Sequence, residues 1–279
     1  MTRGSDHGCV DLSILAIAAR YRDGSLSAVE VIDAFLDQID RRNGTAPSFD
    51  GAPDAINAWV RVYADQARQA AKKADERIQR EGQAAPLMCG IPVGLKDLFG
   101  VKGLPLTASS KVLEDNIADQ DSVAWAQLHA DGAVLLGHTH THEFAAGGTT
   151  DQVGNPWNLG HTAGGSSGGA SAALASSMVP VGIGTDTAGS LRIPTALCGV
   201  ASFKPSYGRV GLEGTVPLAP SLDHVGPMAR TLQDCAVVLQ SLTKAHPSVT
   251  PWYPNQPEGL DVLRPYGGQR PLEDRKSVV

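Results

Sequence analysis

Val181-Gly182-Ile183-Gly184-Thr185-Asp186-Thr187-Ala188-Gly189-Ser190-Leu191-Arg192-Ile193-Pro194 carries the first indication of the fold. Residues 181–184 form a short apolar run that suits a buried strand. A turn of small residues follows it and delivers a serine at position 190. Successive backbone N–H groups in such a turn converge on one point and form a nest for an anion. Placed beside a nucleophile, that nest would stabilise the oxyanion of an acyl-transfer transition state. The same composition also suits an ordinary strand-to-loop turn, so the neighbouring segments decide between the two.

Working outward, Gly90-Ile91-Pro92-Val93-Gly94-Leu95 reads as another buried strand, with Lys96 and Asp97 at its end. Ala133 to Leu136 reads as a further one, ended by Gly137. Helical patterns fall at 121–131, at 170–178 after a Gly/Ser-rich loop, and at 231–242, opened by Thr231 and Asp234. Strands alternating with helices predict the α/β class, a mixed β-sheet core flanked by helices. Nearer the start, apolar residues at helical spacing over 11–22 stop at Gly24. Ser27 and Glu30 then form a capping box ahead of a helix to about Arg42. A short strand over 57–63 and a charged helix over 64–81, ended by Gly82, complete a helical layer at about 10–82. The core is expected at about 88–243, within one domain at 1–243. Six prolines punctuate the remainder, so 244–279 reads as a Pro-rich tail or the start of a further part, with the sheet incomplete on the C-terminal side.

Two more segments carry chemistry. In Ala163-Gly164-Gly165-Ser166-Ser167-Gly168-Gly169, six of the seven residues are Gly or Ser, which lets the backbone approach a ligand closely. A flexible linker has the same composition, but here the run lies in apolar context between an Asn-Pro-Trp turn and a helix start. Lys96, at the end of a buried strand, would lose hydration, which disfavours the ammonium and lowers its pKa. A neutral lysine can accept a serine proton. Two rival readings have weaker support. Residues 164–168 fit G-x-S-x-G, yet 157–162 make a poor buried strand to precede a nucleophile elbow. His138, His140 and His142 alternate and could hold zinc on one strand face, but Gly137 ends the apolar run and no further His/Asp cluster follows.

GIPVGLKDLF at 90–99, GGSSGG at 164–169, GTDTAGSLRIP at 184–194 and LCGVASFKPSYGRV at 197–210 resemble the amidase signature family, as do NPW at 155–157 and SLDHVGP at 221–227. The resemblance covers roughly 10–243, with the motifs in the family's order. It implies an amidohydrolase with a Ser–cis-Ser–Lys triad: Ser190 as nucleophile, Ser166 as proton relay on a cis peptide, and Lys96 as base. It further implies an oxyanion hole from the backbone N–H groups of Thr187, Ala188, Gly189 and Ser190. Many relatives have Gly at the position of Ala188, and an alanine there implies αR or β backbone and a narrower acyl side. Family members are also considerably longer. The resemblance therefore leaves three branches: an amidase forming a Ser190 acyl-enzyme, an inactive amidase-like fragment, and the glutaminase-type subunit of a tRNA-dependent amidotransferase. His142 to Thr150 looks more like the stand-alone amidases than like that subunit.

Composition bounds the partners. The 279 residues are 42% hydrophobic and only 5% aromatic, with a net charge of −6. No basic surface for nucleic acid is implied. No run reaches the roughly 18 apolar residues of a membrane span, and no signal peptide is expected before or within Leu12 to Ala19. Four dispersed cysteines, with no C-x-x-C pair, read as reduced and buried. The expectation is a cytoplasmic protein acting on a small-molecule amide, able to form a homo-oligomer, with no metal or organic cofactor, no nucleic acid and no membrane.

Overall fold

The computed structural model describes residues 7–52 and 54–244; the Pro-rich tail expected beyond 244 lies outside them. A six-stranded mixed sheet forms the centre, in the order β1 (Trp59–Val62), β3 (Val134–Thr139), β2 (Pro92–Lys96), β6 (Val181–Asp186), β8 (His224–Ala229), β7 (Ala201–Ser202). The central strands β3, β2 and β6 run parallel, whereas β1, β8 and β7 pair antiparallel to their neighbours. This is the α/β class expected from the alternating pattern.

The helices are α1 (Ile14–Arg22), α2 (Ala28–Arg42), α3 (Ala64–Glu81), α4 (Val123–Ala130), α5 (Gly168–Ala175), α6 (Arg192–Cys198) and α7 (Leu232–Leu242). The capping box at the start of α2 forms as read: Ser27 Oγ accepts from the Glu30 amide at 3.1 Å and the Glu30 carboxylate from the Ser27 amide at 2.9 Å. Helix α2 packs on α3 and β2, and α3 on β3, so the N-terminal segment is a layer on the sheet. Helix α5 lies across the central strands. Its alanines permit close approach to Gly182, where a Cβ would stand only 3.1 Å from that of Ala170.

Several boundaries depart from the sequence pattern. Strand β3 does not end at Leu136 but runs on through Gly137 and His138 to Thr139. Gly137 is there for space: a Cβ would lie 2.1 Å from the Arg61 carbonyl oxygen of β1. Helix α5 begins at Gly168 rather than at 170. A two-stranded hairpin, β4 (Gly154–Asn155) with β5 (Asn158–Thr162), occupies the stretch judged a poor strand; β5 is exposed along its length, so no apolar alternation marks it. Strand β8 carries Gly226 and Pro227, which disguise it. Helix α6 holds Pro194 in its first turn, where the missing N–H breaks no helical bond, and ends at Gly199 with φ of 70°.

Candidate active site

Lys96 closes β2, and Thr185 and Asp186 close its parallel neighbour β6. Open α/β sheets place their sites at such carboxyl ends. The Lys96 side chain is fully buried, and its Nζ donates to Ser166 Oγ at 2.7 Å and to Thr185 Oγ1 at 2.8 Å. Burial pulls the Lys96 pKa down to about 7, against the opposing pull of the Asp186 and Asp223 charges. The amine therefore exchanges its proton near neutral pH.

Ser166 belongs to the Gly/Ser loop, and the Gly165–Ser166 peptide is cis. Position 165 admits glycine alone, because a Cβ would stand 2.0 Å from the Thr149 carbonyl oxygen. The Ser166 carbonyl accepts from the His142 amide at 3.0 Å and from Thr150 Oγ1 at 3.2 Å. Thr150 Oγ1 in turn accepts from the Gly168 amide at 3.1 Å, at the start of α5. Ser167 joins this loop to the next: its amide donates to the Ser190 carbonyl at 3.3 Å and its hydroxyl to the Thr185 carbonyl at 3.3 Å.

The Ser190 turn is held from beneath by Asp186. One carboxylate oxygen accepts from the Gly189 amide at 2.8 Å and the other from the Leu191 amide at 3.2 Å. The Arg192 guanidinium forks onto both oxygens, each at 3.0 Å. Burial works against the ionised Asp186, but the bonds from Arg192, Leu191 and Gly189 outweigh it and hold the pKa below the usual carboxylate value. The Gly189 amide, expected among the oxyanion donors, is thus engaged by Asp186 in this structure. No hydrogen bond among the described residues takes the amides of Thr187, Ala188 or Ser190. Gly189 has φ of 131°, and Ala188 is not among the positive-φ residues. Ser190 is 8% exposed, and its hydroxyl makes no hydrogen bond among the described residues, to Ser166 or otherwise. Thr187 Oγ1 donates to Asp223, whose other oxygen accepts the amides of Leu218 at 2.9 Å and Ala219 at 3.0 Å.

Sequence reasoning named Lys96, Ser166 and Ser190 but missed Thr185, Asp186, Thr150 and the His142 amide. The histidines serve the framework. His138 bonds the Tyr63 hydroxyl at 2.8 Å and the Phe99 carbonyl at 3.1 Å, and His140 bonds the Ser48 carbonyl at 2.7 Å. Burial lowers the pKa of both, that of His140 to about 4. Among the described residues no three His, Cys, Asp or Glu side chains are placed to hold a metal ion. Cys9, Cys89, Cys198 and Cys235 are all buried. No helix among the described residues is long and apolar enough to cross a membrane.

A mixed sheet with a buried lysine and two serine turns at its carboxyl edge defines an α/β protein of amidase type. The family model described as Amidase matches residues 46–262, and the chain belongs to that family. It is 44% identical over 229 residues to a glutamyl-tRNA(Gln) amidotransferase subunit from Roseiflexus castenholzii, covering 80% of this chain and 44% of that protein. The native peptide amidase of Stenotrophomonas maltophilia superposes with a TM-score of 0.79 at 30% identity, covering 88% of this chain and 51% of that one. A structure described as a vestigial protein complex revealing the evolutionary origins of an s-triazine catabolic enzyme superposes with the same TM-score at 35% identity, over 86% of this chain and 51% of its own. The chain spans about half the length of the proteins it matches.

Proposed function

We propose that this chain carries the acyl-transfer machinery of an amidohydrolase, with Ser190 as nucleophile, Ser166 as relay and Lys96 as base. The observation that carries the reading is the buried Lys96 Nζ, hydrogen-bonded to Ser166 and poised to lose its proton near pH 7. Neutral, Nζ takes the Ser166 proton while still donating to Thr185, and Ser166 Oγ takes the Ser190 proton as Ser190 Oγ attacks the amide carbonyl carbon. The oxyanion is met by the free amides of Thr187, Ala188 and Ser190. The C–N bond then breaks as the relay returns the proton to the leaving nitrogen, which departs as ammonia or an amine. Water, deprotonated by the same relay, attacks the acyl ester and releases the carboxylate. These steps call on no group outside the chain, the amide and water.

The test is labelling with a fluorophosphonate and location of the adduct by peptide mass spectrometry. An adduct on Ser190, absent in Lys96→Ala, is expected. An adduct on Ser166 would overturn the assignment, and none on the folded protein would favour the inactive-fragment reading.

The 44% identity to an amidotransferase component favours a second reading, that of a glutaminase-type subunit. Ammonia release from glutamine that depends on companion subunits would distinguish it from a stand-alone amidase.

A further inference from the structure

We infer that Asp97 is a positioning residue for the relay: its carboxylate builds the loop that brackets His142, and the His142 amide fixes the Ser166 carbonyl. This rests on the amidohydrolase reading and adds a residue to its machinery. Asp97 follows Lys96 directly, and its own amide donates to the Thr139 carbonyl at 3.0 Å, at the end of β3. Its side chain is fully buried and accepts from three donors: the Thr107 amide at 3.3 Å, the Thr107 hydroxyl, and the Ser109 amide at 2.9 Å. The Arg61 guanidinium stands 4.0 Å away as its ion-pair partner. A buried carboxylate satisfied in this way makes its surroundings rigid, because each donor would be costly to leave unpaired.

The loop it holds is shaped against its own residue types. Ala108 and Ser109 have φ of 51° and 49°, consecutive left-handed conformations that non-glycine residues keep only where their surroundings enforce them. In that shape the loop takes three grips on the segment after β3. Ser109 Oγ accepts from the Thr141 amide at 3.1 Å, and the Ala108 carbonyl accepts from the Phe144 amide at 3.1 Å. The Ser110 hydroxyl donates to the Glu143 carboxylate at 2.6 Å. His142 lies between these grips, and its amide donates to the Ser166 carbonyl at 3.0 Å.

Two routes therefore leave one residue. Through the backbone, Asp97 extends the strand that ends in Lys96. Through its side chain it reaches, by way of Ser109, Thr141 and His142, the serine to which Lys96 donates. The Lys96–Ser166 contact at 2.7 Å closes the ring. Proton transfer depends on that contact, and a shift of about 1 Å in a reacting group costs on the order of 10²-fold.

The test compares the parent chain with Asp97→Asn and Ser109→Ala, by the kinetics of fluorophosphonate labelling and by hydrogen exchange read by mass spectrometry. Asp97→Asn replaces an acceptor oxygen with a donor. It should lower the limiting rate of Ser190 labelling about 10–100-fold with the half-saturating concentration unchanged, and Ser109→Ala should lower it roughly tenfold. The double variant should lose no more than Asp97→Asn alone, since both act along one line of contacts. The peptide holding the Thr141 and His142 amides should exchange faster in both variants. Where Asp97→Asn does not fold, Ser109→Ala carries the test. A limiting rate equal to the parent's, additive losses, or unchanged exchange at 141–142 would each overturn the inference. A residue that only stabilised the fold would reduce the fraction of chain that labels and leave the rate of that fraction alone. A parent chain that takes no Ser190 adduct sinks the chemistry instead, and exchange at His142 then decides by itself whether Asp97 holds the relay in place.

Discussion

The two serine-bearing turns stand side by side and are built in opposite ways. The Ser166 turn is closed: its side chain is fully buried, its hydroxyl meets Lys96, and its carbonyl takes two hydrogen bonds. The Ser190 turn is open on its upper side: its hydroxyl is unengaged, and three of its amides have no partner among the described residues. Its backbone is held by Asp186 and the Ser167 amide, and the Thr187 hydroxyl by Asp223. A group that passes protons gains from a dry, rigid setting, because its partners are then in place before reaction. A group that attacks a substrate must keep free valence and free donors where the substrate arrives.

Removing each serine breaks the comparison most severely. Ser190→Ala should lower amide turnover by roughly 10⁴-fold or more, since the covalent step has no substitute. Ser166→Ala should lose about 10²–10⁴-fold, the usual worth of general acid–base help. The diagnostic is labelling: Ser166→Ala should still form a slow Ser190 adduct, and Ser190→Ala none. Equal rates for the two variants would contradict the division of roles.

The pH profile tests the closed side next. In the proposed mechanism Lys96 accepts a proton only when neutral, so activity and labelling should rise with pH through about 7 and level off above it. The stability effect has the same sign. Its folded pKa lies below the unfolded value of about 10.4, so between the two the unfolded chain binds the extra proton and stability rises with pH. Lys96→Met should erase both trends, and a profile that kept its inflection in that variant would assign the titration elsewhere.

Asp186→Asn probes the open side through its support. Asparagine keeps one acceptor oxygen but gives up the charge that Arg192 and two amides share. The expected loss is about 10–100-fold in kcat with KM little changed, from misplaced oxyanion donors, and about 1–3 kcal/mol of stability. Asp186→Glu, with its longer stem, should not rescue activity. A stability loss without any change in kcat would reduce Asp186 to a framework residue.

These residues also mark how far the sequence could be read. Lys96, Ser166 and Ser190 stand out by composition: a lysine ending an apolar strand, and serines among glycines. Asp186 was in plain view, four positions before Ser190, yet its side chain folds back onto a turn, as aspartates at strand ends often do without any functional signature. The Gly189 amide was counted as a donor for the same reason, since its engagement depends on where that carboxylate points. The His142 amide and Thr150 act by backbone position, which no residue type announces. Gly137 was misread because glycine ends a strand and also admits a neighbouring backbone closely, and only the Arg61 carbonyl beside it separates the two.

The smallest effect sharpens the contrast at the adjoining strand end. His140 lies just past the end of β3, as Lys96 ends β2, and both are buried bases. Lys96 has serine and threonine hydroxyls for partners, whereas His140 Nε2 donates to the Ser48 carbonyl and Nδ1 meets the Ser109 hydroxyl at 3.3 Å. A neutral imidazole satisfies both contacts, and burial pushes its pKa down to about 4. The unfolded histidine titrates near 6.5, so between about 6.5 and 4 the unfolded chain takes up the proton that the folded chain refuses. Stability must therefore fall as pH drops through that window, by about 1–2 kcal/mol between pH 7 and pH 5 from this group. His140→Gln retains a donor and an acceptor but does not titrate. Urea unfolding at the two pH values should show a smaller acid loss in the variant than in the parent chain. An equal loss would mean that His140 is not held neutral, and that the division between the proposed base on β2 and a framework base beyond β3 is drawn in the wrong place.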